Sequence, residues 1–408
     1  MRICFLTQYF HPDTGAAQAR LYELSVRLAA RGHRMTVLTA MPFYPEGRIK
    51  PGYRGRFRMT EEVNGVRIIR TWLYATQSPG VVSRMSNYLS FAATAPLLGF
   101  WGLGRQDVLL VESPPLFLVP TAWAMARLMK AKLVFNVSDL YPITAVILGA
   151  FPADHPFIRA AYWLEKVLYF HSDLVTGTSA GICRDINARY PQVPTAVIPN
   201  AVDTNLFHPD CRDPAVRREF GLQDGQVAFI YAGLHGLSQG LEQVVETARL
   251  LRDRKDIRFI LAGDGPRRQG LIQLAQSLAL DNITFPGVFP KKRMPGILAS
   301  MDAALIPLMT DFPGAMPAKS YEALACGLPL VVASKADIAE FVAKHKVGFV
   351  VEPMDVAALV KVVQRLADDA ALRRDLGIQA RRVALQFDRD IVAEKVDALF
   401  TDLLRRKG

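Results

Sequence analysis

Apolar and polar positions alternate along this chain in a long series of βα units. Arg2–Thr7 and Met35–Thr39 are apolar runs of strand length, and between them Leu21, Leu24, Ser25, Leu28 and Ala29 recur on one face of a helix predicted from about Gln18 to Arg31. Gly32 supplies its stop. The same reading predicts strands at Val66–Trp72, Val108–Glu112, Leu133–Val137, Leu174–Thr178 and Thr195–Pro199. Helices are expected over Leu116–Met129 and Ile158–Phe170, and another after Ser179, its cap. The alternation then restarts. Strands fall at 228–232, 257–262, 283–285, 303–307, 330–333 and 348–351, with helices between them and a terminal amphipathic helix over Ile391–Leu404 capped by Asp388 or Asp390. Strands without internal alternation are covered on both faces, as in parallel sheets. The pattern predicts an α/β protein of two doubly wound, Rossmann-like domains facing each other across a cleft. The expected boundaries are 1–205, 206–385 and a helix in 386–408 that packs back toward the first domain. A chain of 408 residues exceeds one ordinary core, which agrees with two domains.

Ligands of such sheets sit at strand carboxyl ends, so the βα loops hold the candidate chemistry. The most informative stretch is Ala315–Ala333, AMPAKSYEALACGLPLVVA. It reads as loop, short helix capped by Ser320, Gly327–Pro329 stop and buried strand. Lys319 and Glu322 stand at the helix start. A cation beside free N–H groups can hold a diphosphate, and a carboxylate one turn along can accept two ribose hydroxyls. Two glycine-rich loops, 233–240 and 263–268, precede it. They supply Gly233, His235, Gly236, Gly263, Gly265 and Arg268, with Arg267 beside them, and all three loops are expected to converge on one ligand. In the first half, Gly15, Ala16 and Arg20 open the first helix, His11 lies in the loop before it, and Asp139 follows a strand end. There is no GxGxxG and no acid at the end of the second strand, which removes support for an NAD oxidoreductase.

Composition describes a globular chain. The four cysteines, Cys4, Cys183, Cys211 and Cys326, have no ligand spacing and read as reduced thiols of a cytosolic protein; the start MRICFLT is too short for an export signal. Charge is uneven. Residues 1–200 hold 21 Lys and Arg against 12 Asp and Glu, and Arg48, Lys50, Arg54, Arg56 and Arg58 form an acid-free basic stretch. Such a cluster favours phosphates of a lipid surface, a substrate or a nucleic acid, or is a solvated loop. Tyr88–Gly104 carries no charge over seventeen residues and reads as a buried core helix, shallow membrane insertion being the competing reading. No aromatic-basic module accompanies the basic stretch, so nucleic acid is not an expected partner. The lone Asp388-Arg389-Asp390 precedes a helix, where capping explains it, and no metal or other cofactor is expected.

Several phrases together resemble the GT-B glycosyltransferases of family 4 over nearly the whole chain: GAAQARLYELSVRLAARGHRMTVLT (15–39), VIPNAVDTNLFHP (197–209), LAGDGP (261–266) and KSYEALACGLPLVVAS (319–334). MPFYPEGRIKPGYRGRF (41–57), VESPPLFL (111–118) and SDLYPITAVILGAF (138–151) narrow the resemblance to an N-acetyl-fucosaminyl-transferase-like branch of bacterial surface-polysaccharide assembly, such as O-antigen, capsule or exopolysaccharide. The resemblance implies a retaining, metal-independent transferase. Its donor would be a nucleoside-diphosphate sugar, UDP-linked and amino or deoxy, and its acceptor a polyprenyl-diphosphate-linked oligosaccharide at the inner membrane face. Membrane contact would run through 48–58, with 88–104 as a second contact, for a cytoplasmic, peripheral protein. Glu322 matches the second Glu of the family's E-x7-E motif, whereas the first position holds Gly314, so the backbone of Gly314 to Met316 is expected to take over its contact, and Ala318 and Ser320 are further donor-binding candidates. Lys319 becomes the principal phosphate cation, Asp139 an orienting group and His11 a further catalytic candidate. Other GT-B chemistries, a phosphorylase or an epimerase, share the implied fold. A non-catalytic membrane-associated scaffold is a third reading.

Overall fold

The structure, a computed structural model, describes residues 1–78, 80–147, 149–309 and 313–406. It divides into two compact units, one formed by Met1–Pro199 with the segment from Arg389 onward, the other by Asn200–Asp388.

In the first unit, strands β1 (Arg2–Leu6), β2 (Arg34–Ala40), β3 (Arg58–Val63), β4 (Val66–Thr71), β5 (Val108–Ser113), β6 (Lys132–Val137), β7 (Leu174–Gly177) and β8 (Thr195–Val197) form one sheet in the order β3-β4-β2-β1-β5-β6-β7-β8. Neighbours are parallel except β3 with β4. The apolar runs of β1 and β5 are buried throughout their central residues, the covering expected of parallel strands. Strand order reverses between β1 and β5, so the loops after these strands splay apart and leave room at their carboxyl ends. β3 lies outside the sequence reading. Its RMTEEV pattern leaves alternate residues exposed on an edge, where polarity masks strand character.

The second unit repeats the arrangement with β9 (Val227–Ala232), β10 (Ile257–Ala262), β11 (Ile283–Gly287), β12 (Ala303–Pro307), β13 (Leu330–Ala333) and β14 (Gly348–Val351), ordered β11-β10-β9-β12-β13-β14 and parallel throughout. Here the order reverses between β9 and β12, which places the loop after β9 and the segment after β12 side by side.

The terminal helix Arg389–Arg405 packs on helix Ala16–Ala30, fastened by Arg27–Asp390 at 2.9 Å, Arg389–Glu23 at 3.1 Å and His33–Asp397 at 2.8 Å. Asp390 therefore stands inside this helix as an ion-pair partner. Asp388, the other expected cap, accepts the N–H and hydroxyl of Thr204 at 3.1 and 2.6 Å and ties the two ends of the second unit together. The first boundary accordingly falls at Pro199/Asn200: Asn200 and Val202 already bond within the second unit, to Met316 and Phe387.

The apolar segment from Tyr88 departs from the expected buried helix. An α-helix, Val81–Thr94, passes into a π-turn over Ala95–Gly99 and a 3-10 turn over Phe100–Gly102. Phe91, Ala95, Gly99 and Leu103 face the core, while Leu89, Leu97 and Trp101 are exposed, Trp101 by 85%. Gly99 is pressed so closely against Leu38 that a Cβ would lie 2.4 Å away, which removes room for a larger residue and lets the segment lie flat. Among the described residues no helix is long and apolar enough to cross a membrane.

Candidate active site

Helix Ala318–Ala325 is the centre of the second unit's candidate site. It begins one turn earlier than Ser320 would place it: Pro317 is the N-cap and makes no side-chain cap bond, because a proline at that place fixes the entry angle but has no side-chain acceptor. Ser320 is wholly buried in the first turn, its N–H given to the Pro317 carbonyl at 3.0 Å and its hydroxyl without a partner. The backbone donors of Ala318 and Lys319 open the helix, where the dipole favours negative charge.

Lys319 lies half-buried with its Nζ 3.7 Å from the centre of the Tyr231 ring. Tyr231 ends the aliphatic part of β9 and is fixed by donating its hydroxyl to the Leu234 carbonyl at 2.6 Å. Burial lowers the Lys319 pKa to about 7, with Glu322 opposing the shift. A cation held by a ring face and facing one carboxylate, Glu322, among the described residues is under-neutralised, which is how a phosphate cation should wait. Gly233 leaves the space for it: a Cβ there would stand 3.1 Å from Lys319 Nζ.

The glycine loops serve a different purpose from the expected phosphate cradle. Three of the N–H groups of 233–236 are already donated, Gly233 to Ala262, His235 to Asp264 and Gly236 to the Gln239 side chain at 3.0, 2.8 and 3.1 Å. Gly263 (φ 132°) and Gly265 (φ 153°) let two backbones touch: a Cβ would meet the Gly233 carbonyl at 1.8 Å and the His235 carbonyl at 2.6 Å. These glycines thus hold the two loops together. His235 is fully buried beneath them. Neither ring nitrogen has a hydrogen-bond partner, and burial together with Arg268 and Lys319 lowers its pKa, so it supports the loop instead of lining its surface. Arg268 donates to the Phe285 carbonyl at 2.9 Å, and Arg267 pairs with Glu242 at 2.5 Å. Arg267 is thereby matched to an acid, whereas the carbonyl that holds Arg268 cancels no charge, so Lys319 and Arg268 are the cations of this site among the described residues. Gly314 has φ 80°, the left-handed region that a Glu adopts at a cost, which accounts physically for glycine there. Met316 is buried, with its carbonyl accepting from Asn200 at 3.1 Å.

In the first unit, Gly15 is the exposed N-cap of helix Ala16–Ala30, Ala16 its exposed first residue, and a Cβ on Gly15 would collide with Gln18 Oε1 at 2.3 Å. Arg20, expected near the loop that opens the first helix, turns inward. Its guanidinium gives hydrogen bonds to Glu112 at 2.5 Å and Ser138 at 2.6 Å, and both partners of the ion pair are over nine-tenths buried. Glu112 also accepts from Ser138 and, at 2.5 Å, from Asn136, which in turn accepts from Thr176 at 2.7 Å. A carboxylate in the otherwise apolar β5 was the signal for this network. Asp139 projects from its edge, exposed, and the surrounding protein together with Glu112 holds it above the usual carboxylate range, Arg20 opposing. His11 stacks on Tyr22 with ring centres 4.5 Å apart, and its pKa is lowered by burial and by Arg70, which donates to the His11 carbonyl.

Two features of this unit escape sequence reasoning. Asp13 is buried, accepts the Tyr44 N–H at 3.1 Å and faces Lys50 at 3.4 Å; burial lifts its pKa to about 6 against the lysine. Nearby, a cavity of about 580 Å³ is walled by Tyr9, Phe43, Tyr44 and Tyr88, with Gln77 and Arg84 at its rim. The rings of Tyr9 and Phe43 stack at 5.4 Å. Faces of this kind suit the C–H surfaces of sugar rings, and the amide and guanidinium suit hydroxyls. Lys50 thereby leaves the basic stretch and becomes an internal pair, while Arg48, Arg54, Arg56 and Arg58 remain exposed.

Two reversing, largely parallel sheets, each with its candidate residues at the strand carboxyl ends, are the architecture of the GT-B class, and comparison with known proteins gives the class of enzyme. The profile of the glycosyl transferase 4-like domain matches residues 15–201, and that of glycosyl transferases group 1 matches 213–383. The chain is a glycosyltransferase built from these two domains. Among its relatives is the putative colanic acid biosynthesis glycosyl transferase WcaI of Escherichia coli (strain K12), 26% identical over 83% of this chain and 85% of that protein. Another is the N-acetyl-alpha-D-glucosaminyl L-malate synthase of Bacillus anthracis, 22% identical over 97% and 96%. Solved structures share the fold: sucrose-phosphate synthase from Thermosynechococcus elongatus (TM-score 0.79, 19% identity, all of both chains) and WaaG, a glycosyltransferase involved in lipopolysaccharide biosynthesis (0.70, 18%, 98% and 99%). Anabaena HepE in complex with UDP matches with TM-score 0.72 and 17% identity over 98% of this chain and 100% of that chain.

Proposed function

We propose that this enzyme moves a sugar from a UDP-linked donor to a polyprenyl-diphosphate-linked oligosaccharide in surface-polysaccharide assembly, with retention of configuration and without a metal. The amino or deoxy sugars of an N-acetyl-fucosaminyl-type enzyme are the favoured donors. The observation that carries the reading is Lys319, under-neutralised on Tyr231 beside a helix N-terminus that no side chain caps, and one turn before Glu322. Breaking the sugar–phosphate bond puts negative charge on the leaving diphosphate. Lys319 takes up a proton as that charge seats, the helix start adds N–H donors, and Glu322 accepts the ribose hydroxyls. Lys319 and the helix start supply the positive charge a metal would otherwise bring, and both acids of Asp388-Arg389-Asp390 serve structural bonds.

On the acceptor side, the aromatic cavity around Tyr9, Phe43 and Tyr88 takes a sugar ring, Asp139 orients the accepting hydroxyl, and a donor phosphate oxygen receives its proton. The lipid part of the acceptor brings the enzyme to an anionic membrane through Arg48, Arg54, Arg56 and Arg58. Arg58 Nη2 lies over Gly102, so the basic strand and the exposed Leu97 and Trp101 share one region. The relatives named for colanic acid and lipopolysaccharide biosynthesis, and the UDP complex of a structural neighbour, support this choice. Thermal shift against UDP, GDP and NAD tests the donor: stabilisation by UDP alone is expected, and no response to either UDP or GDP would defeat the reading. Radiolabelled UDP-sugars offered with membrane lipid extract should label a lipid-soluble product.

A further inference from the structure

The donor-site loops of the second unit lie at strand carboxyl ends. A cavity of about 670 Å³ opens at the opposite edge, where Asp302 and Pro329, immediately before β12 and β13, form part of its wall. Helix Ala370–Leu385 supplies the other side. Four arginines converge on it: Arg212, Arg373, Arg374 and Arg381. Arg381 donates to the carbonyls of Thr204, Phe207 and Ala325, at 3.0, 2.8 and 3.0 Å, and Arg373 to those of Leu366 and Ala367. Carbonyls aim these guanidiniums but cancel no charge. Arg212 and Arg374 are exposed, with no carboxylate partner among the described residues. The acid in the wall, Asp302, pairs with Arg217 at 3.0 Å and accepts the Ala228 N–H at 2.8 Å.

Elsewhere in this unit some arginines are matched to acids, Arg249 to Glu246, Arg254 to Asp256 and Asp368, Arg267 to Glu242 and Arg293 to Glu219, while others, such as Arg258 and Arg268, bond to carbonyls and stand apart from one another. The cavity differs in gathering four guanidiniums around one acid that is already paired, and converging cations without a free acid repel one another until an anion arrives. Guanidinium forks match phosphate oxygens, and the exposed Ile378 offers an apolar surface to an organic group. We propose that this cavity is a second anion site that binds a small phosphate-bearing organic molecule with at least two negative charges, apart from the donor.

Calorimetric titration of tripolyphosphate into the full chain saturated with UDP, at low salt, tests this. One tripolyphosphate per chain is expected, weakened at least about tenfold by Arg212→Ala with Arg374→Ala, while UDP affinity is unchanged. Lys291→Ala with Lys292→Ala, which removes two exposed cations from the same unit, should leave uptake intact. No uptake, uptake indifferent to the arginine pair, or equal loss in the lysine pair would overturn the proposal. So would anionic vesicles that recruit the protein through Arg212 and Arg374 while tripolyphosphate does not bind. The proposal stands apart from the donor reading, because the arginine pair, and not Lys319, must carry the effect.

Discussion

Lys319 is the residue on which the proposed donor site depends, and its titration has a definite sign. Its folded-state pKa of about 7 lies below the usual lysine value, so between about pH 7 and 10.5 the unfolded chain holds a proton that the folded chain lacks. Without ligand, stability therefore rises with pH across that window, and Lys319→Met should flatten the rise in melting temperature between pH 7 and 10. Nucleotide binding has the opposite sign, because a diphosphate favours the charged amine. Lys319→Ala should slow turnover about a hundredfold or more, as loss of a charged transition-state donor does. Steady-state rates with a labelled donor check this. Tyr231 is not legible in the sequence as a functional residue, since an aromatic at a strand end is ordinary core; its role follows from the lysine laid on its face. Arg20 misleads for the converse reason. Its helix position suggests solvent, and only the fold brings the buried Glu112 within 2.5 Å.

At the scale of elements, the strands and their loops are readable because apolar runs and glycine stops report burial and turns directly. What the glycines do is not readable, since the same residue permits close approach to a ligand or to another backbone. Here the second applies. Gly263→Ala would force a Cβ into the Gly233 carbonyl at positive φ and should lower stability by about 1–3 kcal/mol. Gly270→Ala, inside helix Arg268–Ser277 with open space around it, should instead raise stability by about 0.5–1 kcal/mol. Chemical denaturation of both variants gives the contrast. The Arg20–Glu112 pair ties the first helix to β5 and β6. Glu112→Leu alone should cost about 3–5 kcal/mol by leaving a buried guanidinium unpaired, and Arg20→Met added to it should recover much of that loss. Recovery measured in a double-mutant cycle would identify the pair as structural.

Across the whole molecule, the uneven charge seen in the sequence sharpens into a surface. Arg48, Arg54, Arg56 and Arg58 are exposed, Arg58 reaching Gly102 beside the exposed Trp101, while Lys50 turns inward to Asp13. The Tyr88–Gly104 segment reads as core because its charge is nil; part of it is core, and the outward part shows only in the structure. Near an anionic surface each cation contributes about 1 kcal/mol, so replacing all four arginines with glutamine should weaken sedimentation with phosphatidylglycerol vesicles by more than about a hundredfold at low salt. Trp101→Ala should weaken it further at high salt, where the charge is screened.

The most direct measurement is a calorimetric UDP titration of wild type, Lys319→Ala and Glu322→Ala at a series of pH values from about 7 to 9, the range above the folded-state pKa of Lys319. Wild-type affinity should fall as pH rises, because the free enzyme must take up a proton at Lys319. Lys319→Ala should bind at least about tenfold more weakly at the low end of that range and lose the pH dependence, and Glu322→Ala should bind weakly while keeping it. Wild-type affinity in both variants, or a pH dependence that persists without Lys319, would contradict the account.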